Sequence, residues 1–120
     1  MPRYVDGYVI PIRKSKLAAY RRMARQAGKV WKEHGALEFM ECAGEDLQTG
    51  FAQSFLKLVK AKPGETVLFS FVVHRSRKDR DRVNKKVEKD PRLAIIMNAR
   101  AMPFDMKRIT FGGFRAIVDL

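Results

Sequence analysis

Cysteine is almost absent: Cys42 stands alone among 120 residues. That excludes an intrachain disulfide, and no second Cys or paired His lies near it at the spacing of a metal site. Neither a metal nor another cofactor is expected. Long hydrophobic runs are missing as well. The longest, around Val67 to Val73, falls far short of the roughly 20 apolar residues that span a bilayer. Arg3 and Asp6 interrupt any leader pattern at the start, so the expectation is a cytoplasmic protein with no membrane partner. Acidic residues are scarce, 13 against 25 basic ones, which leaves a formal net charge of +12. A charge this high makes polyanions such as nucleic acid the first partners to consider, and it also keeps a surface solvated by itself.

What is present suffices to fold. Hydrophobic residues make up 46% of the chain and charged residues 32%, a balance that offsets chain entropy and argues against disorder. At this length one hydrophobic core is expected, so residues 1–120 are read as a single domain.

Two periodicities organise the chain. Arg3 to Ile12 alternates with period two and is rich in Tyr, Val and Ile, which predicts a strand with Val5, Gly7 and Val9 on one face and Tyr4, Asp6, Tyr8 and Ile10 on the other. From Ser15, read as an N-cap, to Gly35, read as the residue after the helix end, the spacing becomes three and four. Leu17, Tyr20, Ala24, Ala27 and Trp31 form its apolar stripe, with Arg21, Arg22, Arg25, Lys29 and Lys32 opposite. Further strands are predicted over 37–43, 66–74 and 109–118, with 51–60 read as an additional strand or hairpin arm beside the main order. Ser76 with Asp79 matches a capping box that opens a second helix to Lys89, and Asp90-Pro91 opens a short one through Leu93 and Ile96. Met97, Met102 and Met106 read as packing residues, and Gly112-Gly113 as a bulge or a close backbone approach.

The order β-α-β-β-α-β is the ferredoxin-like arrangement of an α+β domain, an antiparallel sheet with its helices on one face. The other face, expected to carry Tyr4, Tyr8 and Ile10, is too apolar to stay in water, so a homodimer is expected.

The chain resembles the YbaA-like family of bacterial proteins, within the dimeric α+β barrel group. The resemblance rests on Tyr4-Val5-Asp6-Gly7-Tyr8, Glu33-His34-Gly35-Ala36-Leu37, Glu41-Cys42, Val59-Lys60-Ala61-Lys62, Arg80-Asp81 and Asn84. It continues through Asp90-Pro91-Arg92, the run Met102 to Arg108, and Gly112-Gly113-Phe114. It implies the ferredoxin-like fold and a dimer, and brings no activity with it. The wider barrel group, which includes cofactor-independent monooxygenases and small-molecule lyases, implies a pocket between sheet and helices.

Residues able to work in such a pocket are Asp6, Tyr8, His34, Glu41, Cys42, Phe104, Lys107 and Arg108. His34 has the pKa range of a general base, or equally sits favourably at a helix C-terminus. Glu41 shares strand period with Leu37 and Phe39, where burial would raise its pKa. Cys42 is a nucleophile candidate or an inert core thiol. Lys107 and Arg108 could clamp a carboxylate. The expected function is binding, and potentially transforming, a small acidic metabolite; whether the protein is an enzyme stays open. The alternative is non-specific RNA association through Arg21, Arg22, Arg25, Lys29, Lys85 and Lys89.

Overall fold

The computed structural model describes residues 1–98 and 102–120. Its strands are β1 (Tyr4–Arg13), β2 (Glu38–Ala43), β3 (Glu65–His74) and β4 (Thr110–Arg115). Its helices are α1 (Leu17–Glu33), α2 (Phe55–Leu58), α3 (Arg77–Lys89) and α4 (Pro91–Ile96). The strands form one antiparallel sheet in the order β2-β3-β1-β4, and with α1 and α3 laid across it this is the ferredoxin-like α+β fold. The molecule is only 20 Å deep in its thinnest direction, the thickness of one sheet and one helix layer.

Local sequence explains the helix boundaries. α1 ends in a Schellman arrangement: the Ala36 N–H donates to Trp31 O (3.0 Å) and the Gly35 N–H to Lys32 O (3.2 Å). Gly35 sits at φ +121°, a backbone region that favours glycine. Ser76 Oγ accepts from the Asp79 N–H at 3.1 Å to open α3, and Asp90 Oδ1 accepts from the Arg92 N–H at 3.0 Å to open α4. At the start of α1, Ser15 lies instead in a 3₁₀ turn, Lys14–Lys16, and caps nothing.

Two buried clusters hold the layers together. Ile10, Ile12 and Leu68 from the sheet meet Tyr20 and Ala24 of α1, and Val30 of α1 meets Val83 and Val87 of α3. The first cluster corrects the expected sheet faces. Ile10 and Tyr8 face the helices, and the uncovered face carries Val5, Val9, Phe69, Phe71 and Phe114. Both faces of β1 are apolar, so alternation alone does not say which one the helices take.

Segment 51–60 is not a strand. Phe55, Leu58 and Val59 are spaced as on a helix, Ser54 Oγ accepts from the Leu56 N–H at 3.1 Å, and the short α2 results. Phe55 packs edge-on against Phe69 with centroids 6.1 Å apart, covering one end of the uncovered face. β4 is shorter than the predicted 109–118. Beyond Arg115 the chain is held by the Ala116 N–H bond to Arg3 O and by an Arg3–Asp119 ion pair at 2.7 Å.

The two central glycines of β4 serve opposite faces. A Cβ on Gly113 would lie 2.5 Å from the Tyr4 hydroxyl, while Gly112 and its cross-strand partner Gly7 lie under the ring of Phe114. The pair lets one aromatic ring lie close on each side of the sheet.

Candidate functional site

The register aligns Glu41, Ser70, Tyr8 and Phe111 in one row across all four strands on the helix face. Above this row α1 presents two alanines, Ala24 and Ala27, where larger residues would fill the space. The gap between the layers is a cavity of about 100 Å³, lined by Glu41, Ser70, Tyr8 and the two alanines with Tyr20, Trp31 and Phe104. Its wall is almost wholly apolar. The polar groups that reach it come from Glu41, Ser70, Tyr8 and Tyr20.

Glu41 is held on one side only. Its Oε2 accepts hydrogen bonds from the Tyr20 hydroxyl at 2.7 Å and from the Ser70 hydroxyl. Oε1 has no hydrogen-bond partner among the described residues. Burial pushes the Glu41 carboxyl above the ordinary range, against the two hydroxyls, which favour its ionised form. Burial, followed by the charges of Asp6 and Glu41, pushes the Tyr8 hydroxyl up to about 12. Burial likewise raises Tyr20. Both phenols therefore stay protonated at neutral pH.

A second polar cluster lies under α3. Asp6 and His74 are 1% and 0% exposed. Arg80 Nη1 approaches Asp6 Oδ1 at 3.1 Å, Asn84 Nδ2 donates to Asp6 Oδ2 at 3.5 Å, and the Trp31 indole N–H donates to Asn84 Oδ1 at 3.2 Å. The Arg80 guanidinium also stacks over the Tyr4 ring at 4.9 Å. His74 Nε2 stands 3.7 Å from Asp6 Oδ2, too far for a hydrogen bond, and neither ring nitrogen has a hydrogen-bond partner among the described residues. Burial raises the pKa of Asp6 and lowers that of His74. Sequence reasoning missed His74; a histidine closing an otherwise apolar central strand was the available signal. Arg80, Val83, Asn84 and Val87 recur at helical spacing, which marks the buried stripe of α3.

The remaining expected site residues are scattered. Phe104 reaches the cavity, edge-on to Tyr20 with centroids 5.6 Å apart. His34 Nε2 lies 2.8 Å from Asp90 Oδ2, and Arg92 bridges Asp90 and Glu33, so this group ties the end of α1 to the start of α4. Cys42 pairs with Phe69 on the opposite face from Glu41. Lys107 is exposed. Arg108 grips Glu65 with both terminal nitrogens, at 2.7 and 2.9 Å, and donates to Lys60 O. The basic pair expected to clamp an acid is thus not in the cavity, because Arg108 already has its carboxylate. Arg21, Arg22, Arg25, Lys29, Lys85 and Lys89 are exposed on the helices.

The Arg108 contact carries a pH signature. It holds the Glu65 carboxyl at about 2, below its ordinary 4.5, so its stabilisation is complete above 4.5 and is lost as pH falls toward 2. Arg108→Gln should lower the urea midpoint at pH 7, and the gap to the parent should narrow steadily below pH 4.5. A pH-independent gap would count against the pair.

Among the described residues no group of three His, Cys, Asp or Glu is placed to hold a metal, and no helix is long and apolar enough to cross a membrane. The fold has solved counterparts. A dimeric ferredoxin-like protein from an uncultured marine organism superposes with a TM-score of 0.63 at 9% identity over 100% of both chains. A NIPSNAP family protein of unknown function from Agrobacterium tumefaciens gives 0.60 at 10% identity, covering 96% of this chain and 88% of its own. These likenesses speak to the fold alone. In sequence, the chain is 41% identical over 117 residues, 98% of each chain, to the uncharacterized protein YbaA of Escherichia coli K12 and equally to that of Shigella flexneri. Residues 3–106 match the model of a protein family of unknown function, DUF1428, and the chain belongs to that family.

Proposed function

We propose that the protein binds a small, largely apolar molecule with one hydrogen-bonding polar group in the cavity between α1 and the sheet, and that it does so as a homodimer. The observation that carries this reading is Glu41: a carboxyl in an apolar cavity whose one oxygen is fixed by Tyr20 and Ser70 while the other accepts no hydrogen bond from the described residues. Glu41 is half-buried and Oε1 opens onto the cavity, so a ligand that donates to it makes a charge-assisted hydrogen bond in apolar surroundings. An acidic ligand is disfavoured, since it would meet Glu41 with no cation among the described residues of the cavity wall.

Trp31 is the chain's one tryptophan and lines the cavity, so it reports occupancy. Titration with butan-2-one or cyclopentanone is expected to change its fluorescence saturably, and Ala27→Leu, which fills the cavity, is expected to abolish the change. A linear response that Ala27→Leu leaves intact would refute the cavity as a binding site. The dimer is supported by the uncovered face, where a groove of about 580 Å³ between Val5, Val9, Phe69, Phe71, Val73 and Phe114 has no charged residue along it.

A second reading is favoured by the exposed cations of α1 and α3: weak, sequence-independent association with RNA. Its affinity should fall steeply with salt. Titration against a mixed-sequence RNA decides it, and undetectable binding at 50 mM salt would end it.

A further inference from the structure

We infer that the Glu41 row is a proton-transfer site, in which Glu41 Oε1 takes a proton from a carbon next to a carbonyl and the Tyr8 hydroxyl hydrogen-bonds that carbonyl's oxygen. The inference rests on the cavity reading above and adds a reaction to it.

The geometry supplies the parts in the right order. Glu41 and Tyr8 flank Ser70 on the same cross-strand row, two strand spacings or about 10 Å apart at the backbone. Their side chains converge on a cavity of about 100 Å³, smaller than the roughly 150 Å³ that accommodates benzene. A ketone of about five non-hydrogen atoms fits between them. Tyr20 and Ser70 are positioning residues: both donate to Oε2, which fixes the plane of the carboxylate and leaves Oε1 as its basic edge. The Tyr8 hydroxyl, with no hydrogen bond of its own among the described residues, is free to donate. It stays protonated to high pH, so it stabilises negative charge on oxygen without giving up its proton first.

The step balances without a co-reactant. The C–H bond breaks, its proton bonds to Glu41 Oε1, and its electron pair moves into the carbon–carbon bond as the carbonyl oxygen becomes an enolate held by Tyr8. Return of a proton to the same carbon restores the carbonyl, so the net result for a simple ketone is hydrogen exchange at that carbon. A carboxyl raised by burial toward working pH is a better base for such a step than an exposed one.

The test uses butan-2-one in D₂O with the intact protein, following loss of the hydrogens beside the carbonyl by proton NMR, with Trp31 fluorescence reporting binding. The protein should accelerate exchange over buffer. Glu41→Gln should bind the ketone within about threefold of the parent and exchange it at least 10²-fold more slowly, the lower end for a lost general base. Tyr8→Phe should cost a similar factor. Tyr20→Phe should move the rising limb of the rate to higher pH, because it removes a bond that favours ionised Glu41. Exchange at the buffer rate despite binding, or undiminished in Glu41→Gln, would overturn the inference and leave the cavity reading standing. Absence of saturable binding would overturn both.

Discussion

Asp6→Ala is expected to lower the free energy of unfolding by about 3–5 kcal/mol, the usual cost of removing one partner from a buried ion pair. That is a large share of the roughly 5–15 kcal/mol that holds a domain together. The carboxylate lies on the helix face of β1 and is the point onto which α3 is fastened, through Arg80 at 3.1 Å and Asn84 at 3.5 Å. Without it, Arg80 loses its buried acceptor, His74 loses its nearest opposite charge, and the Asn84 amide loses a bond. Asp6→Asn keeps an acceptor for Arg80 and should cost clearly less.

The two variants also separate the electrostatics. Asp6 has a raised pKa, so its contribution to stability is present below its ordinary 3.8 and is lost as pH rises. His74 has a lowered pKa, so its contribution is present above its ordinary 6.5 and is lost as pH falls. Between those values the two oppose each other. Asp6→Asn leaves only the histidine, and its stability should climb more steeply with pH over that window than the parent's. Urea denaturation from pH 4 to 7 measures both effects, and a loss under 1 kcal/mol for Asp6→Ala would show that Asp6 does not fasten α3.

Phe114→Glu is the second large effect, expected to convert the proposed dimer into a monomer. The ring is 62% exposed and lies over Gly7 and Gly112, so its loss costs the isolated fold little. In a dimer it would be buried against the partner's apolar groove. Elsewhere the net charge of +12 drives copies apart, which leaves this groove as the surface on which two chains can meet without bringing like charges together. A central aromatic at such a contact contributes about 2 kcal/mol or more, and a buried unpaired carboxylate adds a desolvation penalty. Light scattering should give twice the 13.8 kDa chain mass for the parent and that mass once for the variant. An unchanged dimer would place the contact elsewhere.

How far local pattern reaches is clear from individual residues. Gly35, Ser76 and Asp90 act where the sequence places them, because a cap needs only a few neighbouring atoms. Segment 51–60 was misread because the spacing of Phe55, Leu58 and Val59 suits a short helix as well as a strand arm, and the Ser54 cap decides between them. That Glu41 shares the face of Phe39 was legible from its strand period; that this face is half-buried under α1 was not. Nor were the partners of Glu41, since Tyr20 lies 21 residues away and Ser70 29 away. Arg108 looked free for a ligand, but an ion pair with Glu65, 43 residues distant, has no sequence signature.

By itself, then, the sequence determined the order of elements, most of their ends, the two basic helix surfaces and the presence of two apolar sheet faces. Each of these follows from periodicity and from contacts spanning a few residues. Only the tertiary structure decided which face the helices cover, which carboxylates keep a free oxygen, and that Glu41, Ser70 and Tyr8 share one row over a cavity. Those outcomes depend on strand register and on side chains meeting across the layers, where residues far apart in the chain compete for the same partner.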